Sequence, residues 1–232
     1  MPKYDILLFD ADETLLDFAR AEHVAITETL NKFGILADET TVSTYSRINL
    51  GLWKRLERKE IDKTTLRTER FRLFCAEIGS DADFTAMARF YENSLSRQAF
   101  LIDGAAELCK RLSEKCRIYI ITNGIKFIQT SRMARSGLLP YVKESFISED
   151  VGYEKPDLRY FDTVMAAIDG FDKKRAVVIG DSLTSDVKGG INAGIDTCWY
   201  NPRGLATDLP VTYSVSSFDE IEKIILCEEY DA

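Results

Sequence analysis

Four short apolar runs rich in β-branched residues recur along the chain, at 4–9, Ile118–Thr122, Ala176–Gly180 and Asp196–Tyr200. Amphipathic helical patterns lie between them. Ala105, Leu108, Cys109 and Leu112 fall at i, i+3, i+4 and i+7, with Asp103 placed to cap the helix N-terminus. Phe161, Val164, Met165 and Ile168 repeat that spacing after Pro156. Ser217 and Glu220 form a capping-box pattern ahead of Ile221, Ile224 and Ile225. Strands that alternate with helices predict an α/β chain built on a doubly wound parallel sheet.

From about Asp17 to Arg97 the period changes to helices only. Tyr45, Ile48, Leu52 and Leu56 make one apolar stripe, Phe71, Phe74, Cys75 and Ile78 a second, and Phe84, Met87, Ala88, Tyr91 and Leu95 a third. The expectation is a core of residues 1–16 and 98–232, with a helical bundle of residues 17–97 inserted after the first strand. A chain of 232 residues has room for both.

Bulk composition removes several function classes. Lys plus Arg number 30 against 38 Asp plus Glu, a formal net charge of −8, which disfavours a nucleic-acid or anionic-membrane surface. No apolar stretch approaches the ~18 residues of a membrane span, and the N-terminus leads straight into a strand-like run without a signal-peptide pattern. The five cysteines lack C-x-x-C spacing and read as reduced, mostly buried thiols of a cytoplasmic protein. His23, the only histidine, lies on a helix-like segment remote from the motifs below, which disfavours histidine triads and multi-histidine metal sites.

Four segments carry chemistry. The first run ends in Asp10-Ala11-Asp12. If extension persists past Phe9, both carboxylates point one way at the C-terminal end of a strand, where open α/β sheets keep their ligands. Like charges that close call for a cation, a shared proton or solvent. A divalent metal with one acid held protonable suits phosphoryl transfer through an aspartyl-phosphate, whereas an acidic turn is the ordinary alternative. In Thr122-Asn123-Gly124 a hydroxyl and backbone N–H groups can hold a phosphate oxygen, and a plain Asn-Gly turn explains the segment equally well. In Lys155-Pro156 the proline favours an extended lysine and can open a helix, placing an ammonium where it balances phosphate and aspartate charge. The alternative there is a solvated surface lysine. In Gly180-Asp181-Ser182-Leu183-Thr184-Ser185-Asp186, Asp181 suits the oxygen shell of Mg²⁺, and Asp186 suits holding a metal-bound water or orienting Lys155. A helix start rich in Ser, Thr and Asp accounts for this segment too, except for its pairing with Asp10.

Taken in order, Asp10-x-Asp12-x-Thr14, Thr122, Lys155-Pro156 and Gly180-Asp181-x4-Asp186 resemble the motif set of the haloacid dehalogenase-like hydrolase superfamily. The resemblance implies a Rossmann-like core with an inserted helical-bundle C1 cap. It implies that Asp10 attacks phosphorus and that Asp12 protonates the leaving oxygen and then activates water. Mg²⁺ would be held by the Asp10 carboxylate, the Asp12 backbone carbonyl and Asp181, supported by Asp186, while Thr122 and the Asn123 amide bind phosphate and Lys155 balances charge. Dehalogenases of the superfamily attack carbon and lack an acid two residues after the nucleophile, so Asp12 favours a phosphate substrate. Many members carry Gly where this chain has Glu13. The fuller strings Phe9–Phe18, Ile121–Gly124, Ile147–Gly152, Gly189–Gly194 and Thr197–Asn201 resemble a narrower group, the bacterial pyrimidine 5′-nucleotidases that act on non-standard nucleoside monophosphates.

Within the helical insertion, Asn49 and Trp53 lie one turn apart beside Ile48, Leu52 and Leu56. An amide and an indole make a base-reading pair, against the alternative that Trp53 packs the bundle and Asn49 is solvated. Gly124 and Lys126 flank the phosphate turn. The expected function is Mg²⁺-dependent hydrolysis of a nucleoside 5′-monophosphate, of the pyrimidine kind (UMP, dUMP, dTMP), by a monomer or small homo-oligomer. A sugar-phosphate phosphatase, a phosphomutase and a non-catalytic nucleotide-binding protein are the alternatives.

Overall fold

β1 (Ile6–Phe9) is buried on both faces, with Leu7 and Phe9 entering one apolar cluster and Ile6 and Leu8 another, as the two-residue period of a strand requires. The computed structural model describes residues 2–227. After β1 come α1 (Phe18–Lys32), α2 (Glu39–Glu57), α3 (Lys63–Ile78), α4 (Phe84–Leu95) and α5 (Ala105–Ser113). The chain continues with β2 (Arg117–Thr122), α6 (Lys126–Ser136), β3 (Val142–Ile147), α7 (Ser148–Val151) and α8 (Leu158–Ala167). It closes with β4 (Ala176–Gly180), α9 (Lys188–Ala193), β5 (Asp196–Tyr200), β6 (Tyr213–Val215) and α10 (Phe218–Leu226).

Among the described residues the sheet runs in the order β3-β2-β1-β4-β5-β6, paired in parallel throughout. A parallel sheet must be covered on both faces. Leu108 and Leu112 of α5 and Ile221 and Ile225 of α10 share the cluster of Leu7, Phe9, Ile120 and Ile179. Tyr160, Phe161 and Val164 of α8 share the opposite cluster with Ile6, Leu8, Ile121 and Val178. This is the doubly wound α/β architecture that the alternating pattern predicts. β1 lies between β2 and β4, and from there the chain winds outward in both directions. The switch point, where such sheets bind ligands, is therefore the C-terminal end of β1.

The two outermost strands leave no recognisable apolar run. In β3, Lys143 and Glu144 are exposed and only Phe146 and Ile147 are buried, while β6 has three residues. Edge strands need only a partial apolar face, so their period is weak. Two cap expectations also change. Gly104, at φ +87°, rather than Asp103, precedes α5 and makes no side-chain cap bond. Pro156 does not open a helix; α8 begins at Leu158, capped by the Asp157 carboxylate accepting from the Arg159 N–H.

The chain divides into two compact units. One runs to Asp17 and resumes at Phe100, where the Asp17 N–H donates to the Phe100 carbonyl at 3.0 Å; the other spans Phe18–Ala99. In the second unit Asp38, Asp62 and Asp83 cap α2, α3 and α4. Its centre is aromatic, with the Tyr45 ring 5.0 Å from that of Phe71 and 5.2 Å from that of Tyr91. Cys75, Cys109, Cys116 and Cys198 are buried free thiols, and Cys227 is an exposed one. Among the described residues no helix is long and apolar enough to cross a membrane.

At α10 the Ser217 hydroxyl accepts from the Glu220 N–H, as the sequence pattern predicts, while the Glu220 carboxylate reaches back to the Ser216 N–H at 2.6 Å. Ser217→Ala is expected to lower the unfolding free energy by about 1 kcal/mol, read from urea denaturation. An unchanged midpoint would show that the cap contributes nothing to holding α10 on the sheet.

Candidate active site

The first acid follows β1 directly. Its N–H donates to the Ile179 carbonyl at 2.8 Å, so Asp10 continues the pairing with β4 by one residue. Extension then stops. The Leu15 and Leu16 N–H groups both donate to the Ala11 carbonyl, and Glu13 sits at φ +59°. This turn separates the two carboxylates that continued extension would have aligned. Asp10 points to a buried lysine, and Asp12 points to α6.

Lys155 is 2 % exposed, so it is not a surface lysine. Its ammonium has three hydrogens and three acceptors: Asp10 Oδ1 at 2.6 Å, Asp186 Oδ1 at 2.6 Å and the Ile121 carbonyl at 2.8 Å. The Asn123 side chain fixes the lysine backbone from both sides, accepting from the Lys155 N–H and donating to its carbonyl, each at 2.8 Å. Asn123 thus holds the lysine in place through its side chain. Asp186 accepts at both oxygens, since Oδ2 takes the Ser182 N–H at 3.1 Å. Of the two roles the sequence left open for Asp186, the one visible in these contacts is orienting Lys155. Gly180 makes room for it, since a Cβ there would lie 2.3 Å from Asp186 Oδ2.

Asp10, Asp181 and Asp186 bring carboxylate oxygens within 4.8 Å of one another. The Asp181 N–H donates to Thr14 Oγ1 at 3.1 Å and its carbonyl accepts from Trp199 Nε1 at 2.8 Å, which fixes the loop after β4 to the loop after β1. Burial, followed by the charge of Asp186, raises Asp10 well above the usual carboxylate range, against the pull of Lys155. Burial, then the charges of Asp186 and Glu13, raises Asp181 to about 7. Burial alone would push the Lys155 ammonium down, but Asp10 and Asp186 outweigh it and hold it above the ordinary lysine value. Three clustered carboxylates are thus served by a single ammonium, which touches Asp10 and Asp186. An oxygen-only donor set with an excess of negative charge fits a hard divalent cation such as Mg²⁺, with Asp10 and Asp181 as side-chain ligands.

Asp12 lies outside this cluster. Its carboxylate accepts from Gln129 Nε2 at 2.8 Å and pairs with the Arg132 guanidinium. The Gln129 amide also donates to Thr122 Oγ1 at 2.9 Å. Neither α6 residue was singled out from the sequence, although a signal was present. Gln129 and Arg132 fall one turn apart on the face buried with Ile128 and Met133, where apolar residues are the rule. Gly124 is the counterpart of Gly180, since a Cβ there would lie 2.5 Å from Gln129 Cγ. Lys126 pairs with Asp150.

In the helical unit, Asn49 is 2 % exposed, donating to Glu22 Oε1 at 2.6 Å and accepting from Arg70 Nη1 at 3.3 Å. The Arg70 guanidinium lies 4.7 Å from the Tyr91 ring centre. Both ends of the amide serve the unit's own interior, so Asn49 is not offered as a base-reading group. Trp53 is half-buried.

Comparison with known proteins is consistent with this geometry. Residues 4–194 match the family described as haloacid dehalogenase-like hydrolase. Pyrimidine 5′-nucleotidase PynA of Streptococcus pneumoniae is 42 % identical over 94 % of this chain and 93 % of its own length. Pyrimidine 5′-nucleotidase YjjG of Escherichia coli is 30 % identical over 96 % of this chain and 98 % of its own. The crystal structure of the putative HAD-hydrolase YfnB of Bacillus subtilis bound to magnesium superposes with a TM-score of 0.91, at 37 % identity, covering 96 % of this chain and 98 % of that one.

The raised Asp181 carboxyl gives the metal-free protein a defined pH response. A folded-state value near 7 against an unfolded value near 3.8 means that the folded chain holds a proton the unfolded chain releases. That contribution is present at acid pH and is lost as pH rises from about 4 to about 7. Relative to Asp181→Asn, the metal-free protein is expected to lose melting temperature across this window. Mg²⁺ is expected to raise the melting temperature more at pH 8 than at pH 5, because its carboxylate ligands must be ionised. A Mg²⁺ response equal at both pH values would show that the carboxyl groups of the cluster are not held raised.

Proposed function

The chain belongs to the haloacid dehalogenase-like hydrolase family, and from that premise we propose that it is a Mg²⁺-dependent phosphatase of nucleoside 5′-monophosphates, preferring pyrimidines. The observation that carries the proposal is the division of the two acids after β1. Asp10 sits in the carboxylate cluster on Lys155, and Asp12 is held apart from it by α6. This division, each acid with its own cation, supports reading Asp10 as the group that attacks and Asp12 as the group that moves the proton.

Asp10 attacks the phosphorus, forming an acyl-phosphate bond as the ester P–O bond breaks, and the Asp12 carboxyl proton passes to the leaving nucleoside oxygen. Asp12, now ionised, takes a proton from the water that attacks the phosphoenzyme. Inorganic phosphate leaves, Asp10 is regenerated, and Asp12 is again protonated, so the cycle balances. Lys155 holds the Asp10 carboxylate through its Nζ and balances charge on the transferring group, and Asp186 holds Lys155. Asp10, Asp181 and the Asp12 carbonyl are the groups proposed to hold Mg²⁺, which when bound neutralises the cluster and charge on the phosphoryl oxygens. Magnesium bound to the related YfnB supports the choice of metal. Thr122, its hydroxyl flanked by the Gly124 N–H at 3.1 Å, is the proposed phosphate ligand. The pyrimidine nucleoside as leaving group rests on the likeness to PynA and YjjG.

Phosphate release from nucleoside monophosphates and sugar phosphates, with and without Mg²⁺, tests the reading. Mg²⁺-dependent preference for UMP, dUMP or dTMP is the expected result. Preference for a sugar phosphate would discard the nucleotidase assignment and leave the phosphatase. Asp10→Asn is expected to abolish both turnover and the phosphoenzyme, and retention of either would exclude Asp10 as the nucleophile. Asp12→Asn is expected to cost ~10²-fold or more in kcat on UMP; an unchanged rate would remove Asp12 from proton transfer.

A further inference from the structure

α6 presents three polar contacts to the centre of the sheet that the proposed chemistry does not yet use. Arg132 Nη1 donates to Gln129 Oε1 at 3.1 Å and also pairs with Asp12 Oδ1. Gln129 Nε2 divides its two hydrogens between Asp12 Oδ2 at 2.8 Å and Thr122 Oγ1 at 2.9 Å. These bonds fix the amide's orientation, because a flipped amide would face its oxygen to the Asp12 carboxylate and its NH₂ to the guanidinium.

Two consequences follow from counting donors and acceptors. Arg132 is wholly buried while the Asp12 side chain is 28 % exposed, so both Asp12 oxygens are gripped from the protein side. Each carboxylate oxygen has a second lone-pair site, and these remain for groups on the open side. The Thr122 hydroxyl accepts from the Gln129 amide and from the Gly124 N–H at 3.1 Å. With both its lone pairs taken, a hydroxyl can only donate, which suits a phosphate oxygen and repels a donor.

We propose that Gln129 and Arg132 are positioning residues for phosphoryl transfer. Together they set the plane of the Asp12 carboxyl against the leaving group, and Gln129 also makes the Thr122 hydroxyl an obligate hydrogen-bond donor to phosphate. The inference rests on the phosphatase reading and adds to it a physical link between the proton-transfer acid and the phosphate seat. Arginine suits the place because its planar fork serves Asp12 and Gln129 from one nitrogen, whereas a lysine ammonium has a shorter reach and no fixed plane. The competing account is that the pair is only a buried ion pair that stabilises the fold.

Leaving-group dependence separates the two accounts. A nucleoside oxygen departs only if protonated, whereas p-nitrophenolate departs unaided. Arg132→Lys and Gln129→Met are expected to lower kcat/KM, which reports phosphoenzyme formation and excludes the Asp12-assisted hydrolysis common to both substrates, by about tenfold or more on UMP and by much less on p-nitrophenyl phosphate. In the Asp12→Asn background, Arg132→Lys should cost little further on UMP, because the group it positions is already gone. Gln129→Met alone should also weaken competitive inhibition by inorganic phosphate. Melting curves recorded alongside identify misfolded protein; should one variant not fold, the other carries the leaving-group comparison. Equal losses on both substrates, no loss on UMP, or full additivity with Asp12→Asn would overturn the inference while leaving the phosphatase reading intact. A wild-type protein that releases phosphate from neither substrate would take down that reading and this inference together.

Discussion

The Lys155 ammonium is the interaction on which the site depends. It is buried, it uses all three of its hydrogens, and it joins groups from three strands and their ends: Asp10 after β1, the Ile121 carbonyl within β2, and Asp186 in the helical turn after β4. A buried charge is tolerated only when paired and hydrogen-bonded, and removing one partner of such a pair typically costs about 3–5 kcal/mol. The loops are therefore not free to choose their conformation. Asn123 must clasp the lysine backbone, Ser182 must present its N–H to Asp186, and residue 180 must lack a side chain.

A second buried cation repeats the arrangement. Arg132 answers Asp12 as Lys155 answers Asp10. The two acids lie two residues apart in sequence, yet the turn closed on the Ala11 carbonyl sends them to different partners. Separate cations give the neighbouring carboxyl groups different environments, as the proposed division into nucleophile and proton donor requires. The three-carboxylate cluster remains short of positive charge even with Lys155 in place, and the donor set is all oxygen.

The helical unit follows another logic. Its interior carries Glu22, Asn49, Arg70 and Glu92, all nearly inaccessible, beside a group of packed aromatic rings. Helix spacing alone made Asn49 look like a group offered to a ligand, because it identifies a face and not what lies opposite. Glu22 on α1 and Arg70 on α3 are distant in sequence, and they decide what that amide does.

Much of this was legible in the chain itself. β1, β2, β4 and β5 declare themselves because central parallel strands must be apolar on both faces, and the helical stripes between them because each covers one face of the sheet. Asp10, Thr122, Lys155 and Asp181 could be singled out because polar residues stood where an apolar run ended or where a proline constrained the backbone. β3 and β6, as edge strands, had no such requirement and left little trace. Tertiary structure alone decided which charges meet: that Lys155 is buried between Asp10 and Asp186, and that Asp12 turns to α6, where Gln129 and Arg132 receive it. Local sequence sets periodicity and turns through neighbouring sterics and burial, but the partner of a buried charge comes from wherever the sheet brings the chain back, and no spacing along the sequence records that.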